Sequence, residues 1–207
     1  MSIIKVIHKI PKSDEKTHLY LINNGWIQLK EPKTLLIASI VSIPLMLINI
    51  LISIGAINIF SPITLRELGI TGNTFEITIH LGAIIGFFVS LIIHELIHLI
   101  LIPNFFKSNK TFIGLTLFAG FVYSEEEISK TRYIIITIAP FIILSIFLPL
   151  ILGLLGLLTT TLKVLILLNA AGSSVDILLL LLLTQVPKDS VLRSNGMKTY
   201  WRNLQAS

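Results

Sequence analysis

Four long apolar runs constrain this chain more than any other feature. They lie at 34–60, 78–102, 133–158 and 162–183, and each is long enough for the roughly 20 helical residues that cross a bilayer. Only 13% of the 207 residues are charged and 54% are hydrophobic, whereas soluble domains carry about 25% charged residues. This composition excludes a disordered chain and an ordinary soluble enzyme. It predicts an all-α integral membrane protein with about four transmembrane helices.

The basic residues alternate between the segments that flank these runs. In chain order the segments carry six, one, four, one and four Lys or Arg residues. Because cytoplasmic loops of membrane proteins are enriched in Lys and Arg, this alternation predicts a multi-pass protein with both termini in the cytoplasm. We therefore expect a cytoplasmic segment at 1–33, a membrane domain at 34–186 and a solvated cytoplasmic tail at 187–207. The net charge of +5 is then a topology signal, and we expect no nucleic-acid partner.

Two acidic residues lie deep inside the apolar runs. They are Glu95 and Asp176, while the other nine of the eleven Asp and Glu residues fall in loops or terminal segments. An ionisable group at that depth costs at least about 2.5–3.5 kcal/mol and usually marks a functional site. We expect the two to share one site.

Glu95 belongs to an HExxH motif, His94-Glu95-Leu96-Ile97-His98. Side chains four residues apart share one face of a helix, so His94 and His98 can direct two imidazoles at one metal ion. Glu95 lies about 100° round the helix from His94, where it can reach a water molecule at that metal. Zn²⁺ suits this donor set, with the histidines as ligands and Glu95 as the catalytic base. A purely structural pair of buried histidines is the alternative.

Asp176 is the predicted third ligand, because a catalytic zinc normally has three protein ligands. If the second and fourth runs cross in the same direction, the depths of His98 and Asp176 differ by only about 5 Å. Asn169 and Ser173 lie on the same predicted helix face as Asp176 and are expected to bind substrate or orient the ligands. A hydrogen bond between helices is the alternative role for Asp176, and helix packing is the alternative for Asn169 and Ser173.

The stretch 111–123 is apolar but too short to cross a bilayer. It is rich in Phe, Thr and Val and is broken by Gly114 and Gly120, which favours a short membrane-associated β-hairpin between the second and third helices. Its edge could pair with an unwound substrate. A loop anchored at the interface by aromatic residues is the alternative.

With these motifs the chain resembles the DUF3267 family of zincin peptidases, small bacterial four-helix membrane proteins. It also resembles intramembrane zinc metalloproteases of the site-2 type. The resemblance covers about 78–187, including the HExxH motif, the Ala139-Pro140 helix and the stretch from Asn169 to Asp176. It implies zinc ligation by His94, His98 and Asp176, with Glu95 as general base, in a bacterial cell membrane. Unlike the usual site-2 pattern, the chain has Ile177 rather than glycine after Asp176 and lacks an Asn-Pro-Asp-Gly motif.

The residues and the resemblance together predict an intramembrane zinc metalloprotease. We expect it to hydrolyse peptide bonds of membrane-embedded or membrane-proximal substrates near the cytoplasmic face. Its partners would be the lipid bilayer and a membrane protein or peptide substrate. One alternative is a metal-ion or proton transporter that uses the same His, Glu and Asp cluster. A second is a membrane interaction protein that keeps the motif without catalysis.

Overall fold

The structure, a computed structural model, describes residues 5–7, 12–67, 69–72, 74–75, 80–115 and 120–204. Most of it is helical. The helices are α1 Glu15–Asn23, α2 Leu35–Val41, α3 Ile43–Asn58, α4 Leu81–Leu101, α5 Lys130–Pro140, α6 Leu148–Leu154, α7 Thr160–Gly172 and α8 Ser174–Leu182. A π-helical segment, Phe141–Phe147, joins α5 to α6, and a 3-10 turn, Leu183–Gln185, follows α8.

Three helical stretches in the described residues are long and apolar enough to cross a membrane. They are Leu81–Leu101, Lys130–Leu154 and Thr160–Gln185. Their outer faces carry exposed apolar side chains, and Leu81 and Leu154 are at least 70% exposed, as expected for helices that face lipid. Residues 78–79, at the start of the second predicted span, lie outside the described residues.

The first predicted span, at 34–60, is a bent pair of helices. The axes of α2 and α3 differ by 58°, so they give a fourth span only if the pair crosses as one. Pro44 lies in the first turn of α3. Proline lacks a backbone N–H and so cannot donate to the carbonyl four residues earlier, at residue 40, which explains the break near Ser42. The span count of four therefore stays a prediction.

Short strands form three sheets. The strands are β1 Lys5–Ile7, β2 Ile27–Gln28, β3 Ile70–Thr71, β4 Thr74–Phe75, β5 Thr111–Leu115, β6 Gly120–Ser124, β7 Ile128–Ser129, β8 Ser190–Asn195 and β9 Lys198–Asn203. Their orders are β1-β5-β6, β2-β9-β8-β7 and β3-β4. The antiparallel β5–β6 pair confirms the hairpin expected at 111–123, although 116–119 lie outside the described residues.

The C-terminal segment was expected to be a solvated tail, but it folds into two strands. The expectation of an all-α protein is therefore only partly correct. Strands β8 and β9 form a hairpin in the four-stranded sheet. Leu192 and Tyr200 are fully buried, Leu192 against Leu29 and Leu183 and Tyr200 in a second cluster with Leu21. The segment is mostly polar, so its composition did not indicate that alternate residues of β8 would be buried. The hairpin therefore closes the end of the helical bundle at which α4, α5 and α8 meet the sheets.

Candidate metal centre

The HExxH motif occupies the last two turns of α4, and Asp176 lies in the first turn of α8. Helix α4 packs against α5 and α7, and α5 packs against α8. This packing brings Asp176 to the motif across a sequence separation of about eighty residues. His94 and Glu95 are buried, and His98 and Asp176 are mostly buried.

The two histidines and Asp176 direct their donor atoms at one point. His94 Nε2 lies 3.3 Å from Asp176 Oδ2, and His98 Nε2 lies 3.7 Å from Asp176 Oδ1. One donor atom from each of the three lies within 4.8 Å of the others. The structure thus brings together the three residues that the sequence proposed as ligands.

Hydrogen bonds at the far side of each imidazole fix its orientation. His94 Nδ1 lies 2.9 Å from Asn169 Oδ1, and His98 Nδ1 lies 2.8 Å from the backbone oxygen of Ile136. An amide or carbonyl oxygen can only accept, so both Nδ1 atoms must donate. In the neutral ring each Nε2 then keeps its lone pair, directed towards Asp176. This is the tautomer that metal ligation requires.

These separations fit a zinc ion. Tetrahedral zinc with bonds of about 2.0–2.2 Å holds neighbouring ligand atoms about 3.3–3.6 Å apart, close to the distance from each histidine to its nearer Asp176 oxygen. With both imidazoles neutral, the carboxylates of Glu95 and Asp176 would give the site an excess of negative charge, which favours a cation. The residues present therefore fit a divalent metal ion.

Pro140 explains why the Ile136 carbonyl is free to accept from His98. In an α-helix the N–H of residue 140 would bond to that carbonyl, but proline has no N–H. Sequence reasoning missed this acceptor. A proline four residues downstream, inside a predicted span, was the signal that could have identified it.

The π-helical segment supplies a second residue that sequence reasoning missed. Ser145 is fully buried, and its Oγ accepts a hydrogen bond of 2.8 Å from Asn169 Nδ2. This bond fixes the Asn169 amide so that its oxygen faces His94. Segments of π-helix often occur at functional sites, but the sequence of this one is an ordinary apolar run.

The structure separates the two residues predicted to assist the ligands. Asn169 contacts His94 directly. The Ser173 hydroxyl instead donates to the backbone oxygen of Asn169, 2.9 Å away, and Ser173 does not line the cavity around the ligands. Ser173 caps the break between α7 and α8 rather than facing the site.

A cavity of about 700 Å³ surrounds the donor atoms. Its wall includes Glu95 and the whole of β6. A Cβ on Gly120 would lie 2.3 Å from Glu95 Cγ, so only glycine lets the strand approach the glutamate this closely. Tyr123 also lines the cavity, and burial raises the pKa of its phenol to about 12, which keeps it protonated at neutral pH.

The model of DUF3267, a family described as "Putative zincin peptidase", matches residues 87–191, just over half of the chain. The chain belongs to the DUF3267 family. The matched DUF3267 region contains the HExxH motif, Asn169 and Asp176, and the family description indicates a metallopeptidase that uses zinc. Comparisons with curated proteins and with solved structures gave no match.

Proposed function

We propose that this protein is a membrane-embedded zinc metalloprotease. The observation that carries the proposal is the convergence of His94, His98 and Asp176, with donor atoms within 4.8 Å of one another, inside helices apolar enough to cross a membrane. Glu95 lines the same cavity. The membership of the chain in a family of zincin peptidases supports peptide hydrolysis as the reaction.

His94, His98 and Asp176 would hold the zinc ion, and Glu95 would act as the base. When bound, zinc supplies a Lewis acid that polarises a carbonyl and lowers the pKa of water. Glu95 accepts the proton of the attacking water and passes it to the leaving amine. Asn169 and the Ile136 carbonyl hold the imidazoles in their metal-binding orientation.

Strand β6 is the proposed substrate platform. A membrane substrate enters as a helix, whose carbonyls are hydrogen-bonded and must be freed before hydrolysis. In the described sheet, β6 pairs only with β5, and its residues line the cavity beside Glu95. An unwound substrate segment can pair with the open edge of β6 by strand addition, which would place a peptide bond at the catalytic residues.

The proposed cleavage site lies near the cytoplasmic face of a bacterial cell membrane. His98 is three residues from the end of α4, and the alternation of Lys and Arg between segments supports cytoplasmic positions for both termini and for that end of α4. The substrates would therefore be membrane-embedded or membrane-proximal peptides that reach the site within the bilayer.

Replacement of Glu95 by glutamine tests the proposal. The purified protein and Glu95→Gln are reconstituted in liposomes with a library of single-span peptides, and products are identified by mass spectrometry. Both should bind about one zinc, and loss of the base should slow cleavage by at least about 100-fold. Glu15→Gln, at an exposed glutamate of α1, is the matched control and should cleave normally. Undiminished cleavage by Glu95→Gln would refute the role of Glu95, and zinc-dependent ion flux without any cleavage would indicate a transporter.

A further inference from the structure

A second cavity, of about 810 Å³, lies beside the four-stranded sheet. Lysines from three separate parts of the chain line it: Lys12, Lys33 and Lys198. The remaining wall includes Glu31 and Met197. The lysine cavity, defined by these residues, contains more positive than negative charge.

The fold holds these segments together. Asn195 accepts a hydrogen bond of 3.0 Å from the Asp14 backbone N–H through its Oδ1 and donates one of 2.9 Å to the Asp14 carbonyl through its Nδ2. Gly196 has a φ of +58° and packs so closely that a Cβ would lie 2.6 Å from the Lys12 carbonyl carbon. These contacts fix the Lys12 backbone beside the turn between β8 and β9, while the side chains of Lys12 and Lys33 are exposed at the mouth of the lysine cavity.

Pairing between β2 and β9 places Lys33 in the wall of the same cavity. Strand β2 pairs with β9, and the Leu29 backbone N–H donates to the Thr199 carbonyl at 2.9 Å. These bonds hold the segment that carries Lys33 beside Lys198. Lys33 also directly precedes Thr34, the N-cap of α2, so the cavity lies at the base of the first apolar run.

Three lysines and one glutamate line the lysine cavity among the described residues, which leaves it with a net positive charge. None of its three ammonium groups has a described carboxylate within the 4.0 Å that defines an ion pair. The Glu31 carboxylate accepts hydrogen bonds of 2.8 Å from both the backbone N–H and the hydroxyl of Thr199. Both oxygens of the Glu31 carboxylate are therefore committed to Thr199 rather than to the lysines.

The lysine cavity adjoins the cavity of the metal centre. Glu31 and Met197 line both, and Lys198 and Thr199 are consecutive residues of β9 that line one each. An extended peptide that leaves the metal centre past Met197 would therefore reach the three lysines. A lipid headgroup could bind the lysines as well, but its binding would not depend on a connection between the two cavities. The connection therefore favours a peptide.

We infer that Lys12, Lys33 and Lys198 bind acidic side chains of the substrate, on one side of the peptide bond that is cleaved. The inference rests on the proposed protease function and adds a substrate class to it: apolar membrane segments followed by acidic residues. Attraction between the lysines and aspartates or glutamates would fix the position of the substrate along the site.

Binding of two labelled peptides tests the inference. Each has an apolar leucine–alanine segment, ending in three aspartates in one and three asparagines in the other. Their affinities for Glu95→Gln protein, which should not cleave them, are measured by fluorescence anisotropy in detergent. We expect the acidic peptide to bind roughly three- to tenfold more tightly, with the preference decreasing at high salt. Adding Lys33→Glu and Lys198→Glu should abolish or reverse it, whereas Lys107→Glu with Lys110→Glu, exposed lysines outside both cavities, should preserve it.

Equal affinity for the two peptides, or a preference that survives the reversal of Lys33 and Lys198, would overturn the inference. So would a Lys33→Glu, Lys198→Glu variant that keeps the peptide preference but no longer binds phosphatidylglycerol in detergent, since the cavity would then bind a lipid. Cleavage of both peptides by the zinc-loaded protein with Glu95 intact is measured in parallel. Absence of that cleavage would count against the proposed protease, whereas equal binding would count against the acidic substrate class alone.

Discussion

Asn169 shows how much of this site depends on one polar side chain. Its amide oxygen faces the Nδ1 of His94 at 2.9 Å, and its amide nitrogen donates to Ser145. Without the amide, His94 would lose the acceptor that holds its ring and its tautomer. Such partners of ligand histidines typically contribute a factor of about 10–100 to metal affinity.

We predict that Asn169→Ala weakens zinc binding about 10- to 100-fold, measured by competition with a chelator. Ser173→Ala is the control, because the Ser173 hydroxyl contacts only backbone and should leave the affinity close to its original value. Equal losses in the two variants would mean that helix packing, rather than the histidine contact, explains the effect of Asn169.

At the scale of helices, the site depends on an irregularity in the apolar helical stretch Lys130–Leu154. Pro140 ends regular hydrogen bonding in α5 and is followed by the π-helical segment. The Ile136 carbonyl that it frees is the acceptor for His98. A regular helix would have satisfied that carbonyl internally and left the His98 ring without this acceptor.

We predict that Pro140→Ala lowers zinc affinity by about tenfold, because the new N–H competes with His98 for the Ile136 carbonyl. Pro149→Ala is the matched control, since Pro149 is also buried in the same span but frees no carbonyl that a ligand histidine uses. Isothermal titration with zinc measures both. An unchanged zinc affinity in Pro140→Ala would contradict the prediction. It would show that the Ile136 carbonyl can accept from the new backbone N–H and from His98 together.

The sequence predicted the parts of the site that follow from helical spacing and missed those that do not. The four-residue spacing of His94 and His98 and the matching depth of Asp176 were sufficient to anticipate the cluster. The Ile136 carbonyl and Ser145 were not found, because a backbone acceptor has no residue type and a lone serine in an apolar run has many roles. The bend between α2 and α3 was also missed, although Pro44 marks it.

At the scale of the whole molecule, the C-terminal hairpin joins the membrane helices and the N-terminal segment into one packed end. Its buried Ser194, Asn195 and Thr199 are polar, so composition alone indicated a solvated segment. Their burial is tolerable because strand pairing and side-chain hydrogen bonds satisfy them, as in the Asn195–Asp14 pair. Hydrophobicity patterns in sequence cannot identify partners so distant along the chain.

We predict that Tyr200→Ala destabilises the protein by about 3–5 kcal/mol and lowers the midpoint of thermal unfolding by roughly 10 °C. Tyr200 is fully buried, and its hydroxyl lies 2.8 Å from His18 Nδ1. Tyr20, which is 60% exposed, is the control, and Tyr20→Ala should shift the midpoint little. Equal thermal midpoints for Tyr200→Ala and Tyr20→Ala would contradict the burial of Tyr200 and would favour a solvated C-terminal segment.

The proposed function requires that His94, His98 and Asp176 hold one zinc ion. Zinc K-edge X-ray absorption on the purified protein, with the metal content measured in the same sample, tests this most directly. We expect about one zinc per chain, with scattering from two imidazoles and the remaining ligands oxygen, and loss of the imidazole signal in His94→Ala with His98→Ala. Zinc that is absent, or that is bound without two imidazoles, would contradict the account.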